Sequence, residues 1–140
     1  MLSERIGRLL DREKMVTASP QLTVFKAARL MVEHGVGAIL IIEEGALVGI
    51  FTERDAVFRV VAQDRDAQTV QIGEVMTPRP VTVTPDVTFG RAMLVMHEHR
   101  FRHLPVIENG RPIGIVSARD ALDPELEDFV CEQRRRESLR

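Results

Sequence analysis

The 140-residue chain contains no tryptophan and no tyrosine, and aromatic residues make up only 4% of it. The stacking surfaces that proteins use to bind single-stranded nucleic acids would therefore have to come from phenylalanine alone. The formal net charge is −2, so the broad positive field that attracts nucleic acids or an anionic membrane surface is missing as well. We expect neither nucleic acid nor membrane as a partner.

Cysteine and long apolar segments are equally scarce. Cys131 is the single cysteine, which excludes an internal disulfide, and no apolar run has the length of a signal peptide or a transmembrane span. We therefore expect a cytoplasmic protein. The sequence also lacks a P-loop, a His-Glu-x-x-His motif and a nucleophile elbow. We expect a protein that is not an enzyme and that requires no cofactor.

An internal repeat is the strongest pattern present. Residues 16–55 align without a gap to residues 81–120, a shift of 65 positions, with 15 identities in 40. Each copy is too short to bury a sizeable core by itself, so we expect the two copies to pack on one another as a pseudo-symmetric pair. The boundaries that we assign within a single module of residues 1–140 are 8–63 for repeat 1, 64–72 for the linker, 73–128 for repeat 2 and 129–140 for a C-terminal tail.

Within each repeat the pattern predicts strand, helix, strand, strand, helix. Thr23 can cap a helix that ends at Gly35, and residues 38–42 and 47–51 read as a hairpin. Repeat 2 follows the same plan, with Asn109-Gly110 as its hairpin turn. The apolar spacing of residues 2–12 predicts a short amphipathic helix before repeat 1, and Asp123-Pro124 predicts the start of a last helix.

The most informative motif ends both copies. It reads Gly-Ile-Phe-Thr-Glu-Arg-Asp over residues 49–55 and Gly-Ile-Val-Ser-Ala-Arg-Asp over residues 114–120. Together with Glu-Val-Met-Thr-Pro at residues 74–78 and Arg-His-Leu-Pro-Val at residues 102–106, this repeated motif resembles a tandem pair of CBS domains, a Bateman module. The resemblance covers about residues 8–128, nearly the whole of the sequence, and we expect no other domain beside it.

The resemblance implies an α+β fold of two tandem β-α-β-β-α repeats packed about a pseudo-twofold axis. It also implies a stand-alone bacterial-type regulatory protein, with clefts between the repeats that take adenosine-containing ligands such as AMP, ADP, ATP or NAD, and a homodimer. Ligand binding would then change the conformation that a protein partner recognises, although the sequence does not identify that partner. The alternative is a structural or protein-interaction module whose clefts hold no ligand.

The residues of the repeated motif suit a nucleotide on chemical grounds. A carboxylate can accept both hydroxyl protons of a ribose, and a hydroxyl, an arginine and free backbone N–H groups at a helix start attract phosphate. We therefore predict Asp55 and Asp120 at the ribose. The predicted phosphate contacts are Thr52, Arg54, Ser117, Arg119 and Arg102. The predicted adenine pocket consists of Val16, Ile39, Val81, His103, Leu104 and Pro105.

Two further interpretations bear on these residues. Thr52-x-x-Asp55 and Ser117-x-x-Asp120 also fit a helix capping box, which is compatible with a phosphate at the same helix start. The cluster of His97, Glu98, His99 and His103 does not predict a metal site, because two histidines two residues apart face different sides of a helix. Finally, repeat 2 has Arg100, Arg102 and His103 where repeat 1 has Gly35, Gly37 and Ala38, so we expect two unequal clefts.

Overall fold

A computed structural model describes residues 2–119 and 132–139 of the chain. The strands are β1 (Thr17–Ala18), β2 (Ala38–Glu43), β3 (Ala46–Thr52), β4 (Thr77–Pro78), β5 (His103–Glu108) and β6 (Arg111–Ser117). The helices are α1 (Val24–His34), α2 (Glu53–Asp55), α3 (Ile72–Val75) and α4 (Phe89–His99), and α2 continues as a π-helix over Ala56–Val61. Residues 132–138 are helical, whereas the predicted helix start at Asp123-Pro124 lies outside the described residues.

The two long helices begin and end as the sequence predicts. The Thr23 hydroxyl accepts the Lys26 N–H at 3.3 Å at the start of α1, and the helix ends on Gly35 with φ +64°. In α4, Thr88 caps the start in the same way, and the helix ends on Arg100 with φ +58°. The apolar side of each helix is buried against its own repeat, which accounts for the predicted helical spacing.

The strands show the same repetition. β1 pairs with β2 in parallel, through Ala18 and Ile41, and β2 and β3 form an antiparallel hairpin that β4 extends. In repeat 2, β5 and β6 form the equivalent hairpin, and Val83 forms a parallel bridge to Val106. This last pair is the Ala18–Ile41 pair shifted by 65 positions. The α+β fold with two repeats is therefore confirmed.

The segment before each repeat crosses to the core of the other repeat. The Ile6 N–H donates to the Val87 carbonyl at 2.9 Å, and the Ile6 side chain is buried among the apolar residues of repeat 2. The Ile72 N–H donates in turn to the Leu22 carbonyl at 2.8 Å, and Ile72 is buried in the core of repeat 1. Each repeat is thus completed by the segment that precedes the other.

This crossing explains why the predicted N-terminal helix is wrong. Residues 2–12 instead contain a 3₁₀ turn at Ile6–Arg8, and a second 3₁₀ turn follows at Arg12–Lys14. The backbone N–H groups of Ile6 and Gly7 donate to carbonyls of repeat 2, so backbone groups that could have extended a helix hold the segment against the other repeat.

The two sheets meet through a small apolar cluster. Ala38, Leu40 and Ile50 of repeat 1 are buried together, and Ile115 of repeat 2 and Met15 pack against them. Because apolar side chains from both repeats share this cluster, it fixes how β2 and β3 face β6. The cavity described next lies beside it.

Candidate functional site

A cavity of about 610 Å³ lies between the two repeats. Repeat 1 contributes the end of α1 and the starts of β2 and α2, and repeat 2 contributes one side chain of α4, the start of β5 and the end of β6. Its lining residues are Lys14, Gly35, Val36, Gly37, Ala38, Glu53, Met93, Arg102, His103, Ile115, Ser117, Ala118 and Arg119. A volume in this range accommodates a ligand of nucleotide size.

Equivalent backbone hydrogen bonds hold the two walls. The Glu53 N–H donates to the Gly37 carbonyl at 3.1 Å, and the Ala118 N–H donates to the Arg102 carbonyl at 2.8 Å. In each repeat, the donor is the residue that follows the threonine or serine of the repeated motif. The acceptor is the residue just before the first strand of the hairpin that ends in this motif. The motif therefore lies beside the residues at which repeat 2 carries its extra positive charge.

The charge of the described lining residues is mainly positive. Lys14, Arg102 and Arg119 are exposed at the surface of the cavity, and Glu53 is the carboxylate among the lining residues that the structure describes. Within residues 2–119 and 132–139, none of the three cations forms an ion pair with a carboxylate. The Ser117 hydroxyl accepts the Arg119 N–H at 3.2 Å, so serine and arginine are held at one edge. These groups can contact an anion without first breaking an ion pair in that part of the chain.

Gly37 keeps the floor of the cavity open. A Cβ atom on this residue would lie 3.2 Å from Glu53 Oε1 and 3.2 Å from His103 Nε2. The carboxylate and the imidazole thus approach the same point from opposite repeats. A residue with a side chain at position 37 would press on both groups.

Of the predicted site residues, the structure brings Arg102, His103, Ser117 and Arg119 together in this cavity. Thr52, Arg54 and Asp55 do not line it. Asp120 lies outside the described residues, so its role at a ribose stays a prediction.

Asp55 is buried in a capping box. Its side chain is 8% exposed, and Oδ2 accepts the Thr52 N–H at 2.9 Å while the Thr52 hydroxyl accepts the Asp55 N–H at 3.3 Å. The capping interpretation is therefore confirmed for repeat 1. Burial raises the pKa of the Asp55 carboxyl, and the Thr52 N–H and the Arg59 guanidinium, 3.6 Å away, act against that rise.

Arg54 contacts the ring of Phe58 and does not line the cavity. Its guanidinium carbon lies 4.6 Å from the centre of that ring, within the range of a cation–π contact. Contact of Arg54 with a phosphate stays a prediction.

Most of the predicted adenine pocket lies in the strands rather than in the cavity. His103 is the one member of that set which lines it. Val81 is 41% exposed and lies elsewhere on the surface. The remaining four side chains are buried, namely Val16, Ile39, Leu104 and Pro105. Contact of these residues with an adenine ring stays a prediction.

Sequence reasoning missed several lining residues. Glu53 carried a signal, since it stands inside the repeated motif and its counterpart is Ala118. No sequence signal indicated Lys14. It reaches the cavity because the segment before β1 crosses to repeat 2, and the sequence does not indicate that crossing. Met93 and Ile115 are apolar residues of a helix and a strand, and their partial exposure at the cavity depends on the packing between the repeats.

Neither a metal site nor a membrane-spanning helix is found in the described part of the chain. Residues 2–119 and 132–139 hold no group of three or more histidine, cysteine, aspartate or glutamate side chains placed to bind a metal. In the same ranges, no helix has the length and apolar character needed to cross a membrane.

Comparison with known proteins places these features in a family. Residues 6–62 and again residues 72–125 match the CBS domain. The chain is 39% identical over 107 residues to the CBS domain-containing protein YhcV of Bacillus subtilis (strain 168), and the alignment covers 76% of each chain.

Solved structures agree with that match. The hexameric CBS-CP12 protein from bloom-forming cyanobacteria has a TM-score of 0.79 and 26% identity, over 88% of this chain and 68% of that one. The CBS domain pair of protein MJ0100, in complex with 5-methylthioadenosine and S-adenosyl-L-methionine, has a TM-score of 0.76 and 26% identity, over 84% of this chain and 96% of that one. Because the family match occurs twice and covers most of the chain, the protein belongs to the CBS domain family and carries a CBS pair.

Proposed function

We propose that this CBS pair is a regulatory module that binds an adenosine-containing nucleotide in the cavity between its repeats. The observation that carries the proposal is the cavity itself, which combines nucleotide size with three cations and the Ser117 hydroxyl. The related CBS pair of protein MJ0100, which holds two adenosine-containing molecules, supports the choice of ligand.

The phosphate end of the ligand would face the cations. Arg119 follows Ser117 at the junction after β6, and Arg102 and Lys14 approach from two other segments. A phosphate between them would gain charge-assisted hydrogen bonds from up to three directions. Glu53 opposes this attraction, so its carboxylate would lie nearer to the sugar hydroxyls than to the phosphate.

The base would occupy the apolar part of the lining. Val36 and Ala38 come from repeat 1, and Met93 and Ile115 come from repeat 2, so an adenine ring could be held between the repeats. Thioether and aliphatic groups suit such a ring because they pack on its faces without competing for its polar edge. Of the adenine contacts predicted from sequence, His103 is the one that would then contribute to this slot.

Signalling would follow from the position of the ligand. Both repeats form walls of the cavity, so a bound nucleotide favours the arrangement of the repeats that contacts it best. A protein partner that distinguishes two such arrangements would respond to the nucleotide. The identity of that partner is not encoded in the residues that line the cavity.

We also propose a homodimer. Val57, Phe58 and Val61 lie on the segment that continues α2, and their side chains are at least half exposed, with Val61 at 72%. Three large apolar side chains on one short helical segment are costly to leave in water, and a second copy of the segment could cover them.

Calorimetry tests the nucleotide proposal. AMP, ADP, ATP, NAD and S-adenosylmethionine are titrated into the protein, and at least one should bind with a measurable heat. Arg119→Ala should weaken that binding about tenfold, because one charge-assisted hydrogen bond is lost. Arg111→Ala, which removes the same charge at the far end of the β5–β6 hairpin, should leave the affinity within about twofold.

The same titrations can reject the proposal. If none of the five compounds binds at near-millimolar concentration, the module works without a ligand, as a structural or interaction module. If a compound binds but Arg119→Ala and Arg111→Ala weaken it equally, the ligand is held by general charge attraction and not by the cavity.

A further inference from the structure

Residues 2–14, which we call the first crossing segment, contact two places at once. At Ile6 the segment enters the core of repeat 2, where this side chain is fully buried. At Lys14 the segment lines the cavity between the repeats. Docking of the segment on repeat 2 therefore determines whether the Lys14 ammonium is in place for a ligand in the cavity.

Backbone hydrogen bonds hold the start of this segment on repeat 2. The Ile6 and Gly7 N–H groups donate to carbonyls of repeat 2 at 2.9 and 3.0 Å. In the reverse direction, the Phe89 and Gly90 N–H groups at the start of α4 donate to carbonyls of the segment at 2.7 and 2.9 Å. The first N–H groups of a helix have no partners within the helix, so the docked segment supplies a cap for α4.

A short stretch of regular turns connects Ile6 to Lys14. Two 3₁₀ turns fill most of this interval, and between them Leu10 packs on Gly114 of β6. The second turn, which contains Lys14, also lies against β6. Because the connection is short and continuous, release of Ile6 from repeat 2 would loosen Leu10 and displace Lys14 as well.

The attachment of this segment depends on little buried surface. Among residues 2–14, Ile6 is buried and Leu10 is half-buried, whereas the others are exposed. A segment with so few buried apolar contacts opens at a lower free energy than the core of the protein. Opening would uncover the pocket of Ile6 and the N–H groups of Phe89 and Gly90, which a protein partner could recognise.

The second crossing segment, residues 66–76, is attached in an equivalent way but does not reach the cavity. The Ile72 and Gly73 N–H groups donate to carbonyls of repeat 1 at 2.8 and 2.9 Å. The Arg59 guanidinium also donates to two carbonyls of this segment, at 3.2 and 3.0 Å. None of its residues is among the described residues that line the cavity, so it serves as an internal control.

We propose that the first crossing segment is a latch that the ligand closes, so that nucleotide occupancy controls how firmly the segment docks on repeat 2. This inference rests on the proposed function, because the contact that closes the latch joins Lys14 to the anionic end of the ligand. A ligand that binds more tightly when Lys14 is in place stabilises the docked state by the same factor. One charge-assisted hydrogen bond corresponds to a factor of about ten.

Amide hydrogen exchange, measured by NMR, tests the latch. AMP, ADP and ATP are titrated by calorimetry, and the tightest binder is then used at saturation. In the wild type this nucleotide should slow exchange at Ile6 and Gly7 about tenfold, because opening breaks the Lys14 contact. Lys14→Ala should bind the nucleotide about tenfold more weakly and, at equal occupancy, should show less than about twofold slowing at these amides.

Two controls isolate the cause. The amides of Ile72 and Gly73 report any general stabilisation by the ligand, so their slowing should be the same in the wild type and in Lys14→Ala at equal occupancy. Arg12→Ala removes a neighbouring positive charge that is not among the described lining residues. This variant should keep the affinity within about twofold and retain the slowing at Ile6 and Gly7.

The results separate the latch from the nucleotide site. If a nucleotide binds but leaves exchange at Ile6 and Gly7 unchanged in the wild type, the latch is wrong and the proposed function survives. Equal slowing in the wild type and in Lys14→Ala, at equal occupancy, overturns the latch in the same way. If none of the three nucleotides binds, the latch fails, and titration with NAD and S-adenosylmethionine decides the proposed function.

Discussion

Asp55 and Asp120 hold the same place in the two repeats, yet their surroundings predict different chemistry. The Asp55 carboxylate is buried and already accepts the Thr52 N–H, with Arg59 close by. A ribose at Asp55 would have to share an acceptor that the helix start already uses. Asp120 follows Ser117 and Arg119, which line the cavity, so we expect it to be the aspartate that meets a sugar.

Asp55→Asn should change how stability depends on pH. Burial raises the pKa of Asp55 above 3.8 in the folded state, so the folded state holds its proton more tightly than the unfolded state. The resulting stabilisation is complete below pH 3.8 and is lost as the pH rises through the raised pKa. In urea unfolding, the stability of the wild type relative to Asp55→Asn should therefore fall across this window. A difference that grows with pH would mean that Arg59 outweighs burial.

Paired variants compare the two aspartates as ligand contacts. Asp120→Asn should weaken AMP binding about ten- to a hundredfold, because a charged hydrogen bond to the ribose is lost. Asp55→Asn keeps an oxygen for the Thr52 N–H and should leave AMP affinity within about threefold. Calorimetry on both variants decides between the assignments, and equal losses would show that the repeats contribute equivalent ribose sites.

The side chains of the two crossing segments explain why two positions in the hairpins are occupied by glycine. A Cβ on Gly114 would lie 2.9 Å from Leu10 Cδ2, and a Cβ on Gly49 would meet the side chain of Met76. Leu10 follows Ile6 in one of the two crossing segments, and Met76 follows Ile72 in the other. Each glycine thus makes room for a side chain that arrives from the other repeat.

Gly114→Ala should therefore destabilise the protein by about 1 kcal/mol, the lower end of the cost of overpacking, because the opposing atoms are the end of the Leu10 side chain, which can shift. Combining it with Leu10→Ala removes the opposing methyl groups, so the double variant should lose less stability than the two single changes added together. Unfolding by urea measures all four states of this cycle. Strict additivity would show that Leu10 and Gly114 do not touch in solution.

Much of this arrangement could be predicted from the sequence because it depends on local signals. The helix caps at Thr23 and Thr88, both hairpins and the capping box at Thr52 follow from residues within a few positions of each other. The repeat itself is visible without any structure. Four of the predicted site residues lie in the cavity, and all four belong to motifs visible in the sequence, Ser117 and Arg119 to the repeated motif and Arg102 and His103 to Arg-His-Leu-Pro-Val.

The parts that could not be predicted depend on long-range packing. Glycine at positions 49 and 114 indicates a close approach but not which side chain approaches. The crossing of Ile6 and Ile72, and with it the placement of Lys14, requires knowledge of which core each segment completes. The π-helix at Ala56–Val61 likewise has no signal in the apolar spacing, which fits an α-helix equally well.

The cavity is lined unequally by the two repeats although the chain repeats. Lys14 and Arg119 line it, whereas their counterparts at the shift of 65 positions, Arg79 and Arg54, do not. The two repeats therefore offer different charges to a ligand, and we expect their ligand preferences to be unequal.

The proposed homodimer predicts that a charge placed on the exposed segment after α2 weakens the association of two copies. Val61→Glu should shift the protein towards monomer in analytical ultracentrifugation, since a charge would be buried at the interface. The change in stability should stay within about 0.5 kcal/mol if the side chain is exposed within each copy. Gln68→Glu, an exposed change in the linker, serves as the control. A wild-type protein that sediments as a monomer at high concentration would contradict the dimer.

The central proposal, a nucleotide in the cavity between the repeats, is tested most directly by a two-dimensional ¹H–¹⁵N NMR titration with AMP. The amide signals of Gly37, His103, Ser117 and Ala118 should shift together and saturably. Those of Gly45 and Gly110, in the two hairpin turns, should stay in place. An unchanged spectrum at millimolar AMP, or shifts confined to residues away from the cavity, would contradict the proposal.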